Sequence, residues 1–81
     1  MRKIKCLEIA KFVQKGLLEK GFNEDFNKIL QLVDDSIAYN NDYDKDENGE
    51  IAQELSEEEI DQLKNDMLYG TIEYYEEREN I

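Results

Sequence analysis

The chain contains no histidine and no proline, one cysteine, and four glycines that never stand together. Each shortage excludes something. Without histidine the commonest general base and metal ligand is missing, and with it every Ser–His or Cys–His nucleophile pair. A single cysteine allows no intramolecular disulfide and no cysteine metal site. Set among apolar residues, Cys6 reads as a small buried hydrophobe. Gly16, Gly21, Gly49 and Gly70 are isolated, so no glycine-rich loop is available to cradle a phosphate. No apolar run approaches the ~20 residues that would span a membrane. The start, Met1-Arg2-Lys3-Ile4-Lys5, is basic, but alternating charge follows it rather than an apolar stretch. It does not read as a signal peptide, and a cytoplasmic location is expected.

What is abundant is carboxylate. The 81 residues carry 21 acidic and 10 basic side chains, a formal net charge of −11, with 38% of the chain charged and 40% hydrophobic. That balance suits one small globular domain spanning 1–81, whose core is marginal for its size. The charge is uneven. Residues 1–22 hold six basic and two acidic residues, net +4; residues 23–81 hold four basic and nineteen acidic, net −15. Such a body repels nucleic-acid phosphate and anionic lipid and attracts basic partners. Neither direct nucleic-acid binding nor membrane binding is expected. Catalysis would rest on carboxylate, tyrosine or lysine alone, and a unit this small rarely encloses a cleft of several hundred Å³. A non-enzyme is expected.

Hydrophobic spacing predicts an all-α fold, a small bundle of three helices plus a short or continued C-terminal helix. With no proline, nothing forbids long helices. The first is expected over 5–20, with Cys6, Ile9, Ala10, Val13 and Leu17 on one stripe that Leu7 and Leu18 widen, and Gly21 as its stop. Phe12 falls off the stripe, and at the start of the chain Ile4 and Cys6 also alternate with lysines like a short strand. The second is expected over 24–39, capped by Asn23, with Phe26, Ile29, Leu30, Val33 and Ile37 inward. The short link predicts a helical hairpin. The third starts at a capping box, Ser56 with Glu59, flanked by Leu55 and Ile60 as a hydrophobic staple. Its inner face is Ile60, Leu63, Met67 and Leu68. Gly70 either ends it or sits inside a longer helix that turns Tyr74 and Tyr75 inward. Residues 50–55 are a helical turn or a short extended run. The expected core is Val13, Leu17, Phe26, Ile29, Leu30, Val33, Ile37, Ile60, Leu63 and Met67.

Two stretches of charge exceed what helix formation needs. Glu57, Glu58 and Glu59 suit the positive end of the third helix dipole. The loop Asp42 to Glu50 has no such reason, nor do Glu73, Glu76, Glu77 and Glu79 near a helix C-terminus. The partner-binding residues expected are therefore Asp42, Tyr43, Asp44, Asp46, Glu47, Glu50, Glu73, Tyr74, Glu76 and Glu77. Fixed carboxylates accept bidentate arginine, and tyrosines add contact area with few rotors to freeze.

These features predict a non-catalytic interaction module without a cofactor. Its expected role is to inhibit or neutralise a basic, nucleic-acid-handling protein through an acidic, nucleic-acid-mimicking face. In size and charge the chain resembles, as a class, phage anti-defence inhibitors, nuclease-immunity proteins and antitoxins, with the motif of none of them. Two alternatives stand beside this. Residues 44–51 resemble the first eight positions of an EF-hand loop, with Asp44, Asp46, Asn48 and the Glu50 carbonyl as calcium ligands and Gly49 at the turn. Leu55 occupies the twelfth position, where a bidentate glutamate belongs. The other alternative is a subunit of a homo-oligomer, joined through Phe12 with Leu18 or Tyr74 with Tyr75.

Overall fold

The computed structural model describes residues 1–39, 46, 48 and 50–79, with the side chain of Glu79 left aside. Among these residues there are three helices: α1 (Cys6–Glu19), α2 (Phe26–Tyr39) and α3 (Glu57–Glu79). The all-α architecture matches the sequence reading. The fourth piece is the continued form: α3 runs through Gly70 without a break.

α1 packs against both other helices, whereas α2 and α3 touch only sparsely. Its inward residues Cys6, Ile9, Ala10, Val13 and Leu17 are all buried, but Leu7 and Leu18, expected to widen the stripe, are exposed because the partners of α1 cover only its narrower face. Gly16 permits the close approach of α3, since a Cβ there would lie 2.5 Å from a Leu68 methyl. α1 ends in a Schellman motif: the Phe22 N–H donates to Leu17 O (2.9 Å) and the Gly21 N–H to Leu18 O (3.0 Å). This geometry needs a left-handed residue, and Gly21 supplies it at φ 91°. The link then carries Phe22 onto Tyr75, with ring centroids 6.0 Å apart.

The α2 cap differs from expectation. Asp25, not Asn23, closes the helix: its Oδ1 accepts the Asn27 N–H (2.8 Å) and its carbonyl the Lys28 and Ile29 N–H groups. Asn23 lies too far upstream to reach the first turn. The capping box of α3 forms as read, with the Glu59 N–H on Ser56 Oγ (3.2 Å) and the Ser56 N–H on Glu59 Oε1 (3.1 Å).

Residues 2–5 are extended and run antiparallel to 50–55. Arg2 and Leu55 exchange both backbone hydrogen bonds (2.9 and 2.8 Å), and the Ile51 N–H donates to Ile4 O (2.8 Å). Bridges at Arg2–Leu55 and Lys5–Glu50 leave two extra residues on the second segment, taken up by a bend at Ala52–Gln53. The pairing drives Ile4, Ile51 and Leu55 into the core, and the continued α3 adds Ile72 and Tyr75. None of these five was in the expected core. Phe26, Leu30 and Met67, which were, are only partly buried against it.

Candidate interaction surface

Four of the ten expected contact residues, Asp42, Tyr43, Asp44 and Glu47, lie outside the described residues, as does Gly49. Asp46, Asn48 and Glu50 are described, and they are engaged within the chain. Asp46 Oδ1 accepts the N–H groups of Asn48 (2.9 Å) and Glu50 (3.0 Å). The Asp46 N–H donates to the Glu50 carbonyl at 2.9 Å. Lys3 Nζ stands 3.9 Å from Asp46 Oδ2, and Lys5 Nζ 3.9 Å from Glu50 Oε1. Part of the loop's charge is thus answered by the basic N-terminal segment. The Glu50 carbonyl, required as a calcium ligand in the alternative reading, instead accepts from Asp46. No group of three or more acidic, cysteine or histidine residues among the described ones is placed to hold a metal ion.

The second expected stretch lies on the exposed side of α3. Glu73 and Glu77, four apart, share one face; Glu76 stands on the neighbouring one. Tyr74 packs edge-on against Tyr75 (centroids 5.2 Å apart) and carries Arg78 over its ring, the guanidinium carbon 5.6 Å from the centroid. Burial, together with the nearby Glu24 carboxylate, raises the Tyr75 hydroxyl above the usual tyrosine pKa, so it stays protonated. The described part of the first stretch does not meet the second: Asp46 and Glu50 adjoin the segment leading into α1 and Tyr75 packs on Phe22 just past the end of α1, so about 20 Å of helix separates them.

Between α2 and α3 runs a groove that sequence reasoning missed. It has a volume of about 310 Å³ and is lined by Leu32, Ser36, Asp66, Met67, Gly70, Thr71 and Tyr74. It opens into a shallower depression at Asp35 and Tyr39. Its floor is apolar by arrangement: Leu32 and Met67 are partly buried, and the Thr71 hydroxyl donates to Met67 O at 2.7 Å, leaving no unsatisfied proton. Both edges carry carboxylates held in place. Gln31 Nε2 donates to Asp35 Oδ1 (2.8 Å) and Gln62 Nε2 to Asp66 Oδ1 (2.9 Å). These are neutral donors, so the negative charge survives. Glu73 and Glu77 continue the Asp66 edge at helical spacing. Lys28 and Arg78, with Glu24, lie around a separate hollow near the α3 C-terminus. The sequence signals were a leucine off the buried α2 stripe, Leu32, and a glycine inside an amphipathic helix, Gly70.

No protein-family model, curated protein or solved structure matches the chain. Its surfaces must therefore be read from their own chemistry.

The remaining charged cluster is structural. Arg2 grips Glu8 with both terminal nitrogens (3.0 and 2.9 Å) and Glu57 through Nε (2.8 Å). Lys64 Nζ adds a contact to Glu8 at 3.1 Å and sits 5.7 Å from the centre of the half-buried Phe12 ring. The Arg2 hydrogen bonds hold the Glu8 carboxyl down to about 2, against an opposing push from burial and with help from Lys64. The same arginine lowers Glu57. Glu57, read as a dipole charge, thus also fastens the N-terminal segment to α3. The pairings suggested for an oligomer do not form patches. Phe12 faces Lys64 of α3 while Leu18 is exposed elsewhere on α1, and Tyr75 belongs to the core. No helix among the described residues is long and apolar enough to cross a membrane.

Proposed function

We propose that this chain is a non-catalytic acidic interaction module that neutralises a basic, nucleic-acid-handling protein, in the manner of a phage anti-defence inhibitor, an immunity protein or an antitoxin. One observation carries the reading: an apolar groove edged by the fixed carboxylates Asp35 and Asp66, with Tyr39 91% exposed beside it and Tyr74 lining it. Charge alone would give a soluble surface; charge around an apolar floor gives a place to dock. The net −15 over residues 23–81 steers cations toward it.

Because Asp46 and Glu50 are engaged within the chain, the helical groove rather than those two residues is taken as the contact. Capture from host lysate at low and high salt, followed by mass spectrometry, tests the class of partner. A basic nucleic-acid-binding protein, retained at low salt and lost at high salt, is the expected catch. Asp35→Lys with Asp66→Lys should abolish capture with the helical circular dichroism intact. Undiminished capture by that variant would sink the assignment of the surface.

A further inference from the structure

Resting on that reading, we propose that the groove between α2 and α3 receives a cationic amphipathic α-helix of the partner, its apolar stripe on Leu32 and Met67 and its arginines or lysines against the Asp35 and Asp66 edges.

Three features select this occupant. The first is the shape. α1 fills the space on one side of α2 and α3, and the two touch so sparsely that a channel remains between them. Two helices with an open seam are completed by a further helix packing at about 8–10 Å. The second is the backbone. Leu32, Asp66, Met67, Gly70, Thr71 and Tyr74 lie in helix interiors with their backbone groups paired along the helix, and the last turn of α2 frees carbonyls only, so the walls offer no alternating row of unpaired N–H and C=O groups. An extended strand would find nothing to pair with, which leaves the helix-in-groove mode. The third is charge. Asp35 and Asp66 are fixed on opposite walls, and Glu73 and Glu77 extend one of them. An apolar anchor without cationic flanks would leave them unanswered, and a nucleic acid would be repelled. Tyr39, 91% exposed, offers a face over which an arginine can stack.

Gly70 provides a clean lever. A Cβ at this position meets nothing within 4 Å, so a larger side chain enters open space at the groove and leaves the core alone. The test titrates the whole protein with two synthetic peptides followed by amide and methyl NMR. One peptide places leucines on a single helical stripe flanked by arginines; the other shuffles the same residues so that no stripe survives. The expected result is binding by the striped peptide at least tenfold tighter than by the shuffled one, with shifts centred on Leu32, Met67 and Thr71. Gly70→Leu should weaken the striped peptide about tenfold and leave the shuffled one unchanged. Equal binding of both peptides, unaffected by Gly70→Leu, would overturn the groove proposal while leaving the acidic-surface reading intact. Binding of neither at low salt would overturn both. Shifts at the same residues on raising the concentration of the protein alone would make a second copy the occupant and overturn the partner helix.

Discussion

Arg2 is where three segments meet: the N-terminal extended run, α1 through Glu8, and α3 through Glu57. Its effect can be read in pH. The Glu8 carboxyl titrates at about 2 in the folded chain, below its ordinary unfolded value near 4.3. A depressed acid contributes stability above the unfolded value, and that stability is lost as pH falls through the folded one. Glu8→Gln should therefore lower stability at pH 7 by about 1 kcal/mol at most, since the pair is partly solvated. The deficit relative to the parent should shrink between about pH 4 and pH 2 in urea melts. A deficit that persists unchanged at pH 2 would place its origin in packing rather than in charge. With no histidine, no side chain has an ordinary pKa near 6.5, so little change is expected between pH 6 and 8. Two glycines make opposite predictions. Gly70→Ala should stabilise by up to about 1 kcal/mol, because the glycine sits inside α3 with free space around it. Gly21→Ala should destabilise by about 1 kcal/mol, because its φ of 91° suits glycine alone. In thermal melts each step should move Tm by roughly 4–8 °C in the stated direction.

Among the elements, α3 draws on the most local rules. Ser56→Ala removes the acceptor for the Glu59 N–H and should cost about 1 kcal/mol. Val33 is buried at the centre of the α2 stripe, and Val33→Asp should unfold the chain by setting a charge where no partner exists. A helical, cooperatively melting Val33→Asp would contradict the packing. What was legible followed range along the chain. The capping box, the Gly21 stop and the stripes of α1 and α2 are local, and all were readable. Ile4 and Ile51 were not, because their burial depends on pairing two short extended runs some fifty residues apart, and Leu55 was readable only as the apolar partner of Ile60 beside the capping box. Asp25 displaced Asn23 as a cap because both residue types suit the position, and only the path of the link decides between them. The groove was invisible for a related reason: it depends on two helices not meeting, which no single stripe encodes.

For the whole molecule, the charge division has become a spatial one. The lysines of residues 3 and 5 stand against Asp46 and Glu50, while Asp35 and Asp66 flank the groove and accept hydrogen bonds from neutral glutamines. Acidic surfaces that differ in this way should differ in salt response. The affinity of a basic partner should fall as ionic strength rises, and Asp66→Asn should make that fall less steep. The corresponding change at Glu50, already answered by Lys5, should alter the slope little. A slope that responds to Glu50→Gln and not to Asp66→Asn would place the contact on the loop.

The pairing of residues 2–5 with 50–55 also has a consequence in time. During synthesis at roughly 5–20 residues per second, the interval between Arg2 and Leu55 is about 3–10 s. Through that interval Ile4 and the inward stripe of α1 have no Ile51 or Leu55 to cover them. Residues 2–5 thus emerge well before the segment that seals them, and in the interval the nascent helical hairpin holds an uncovered apolar stripe open to aggregation or to a chaperone.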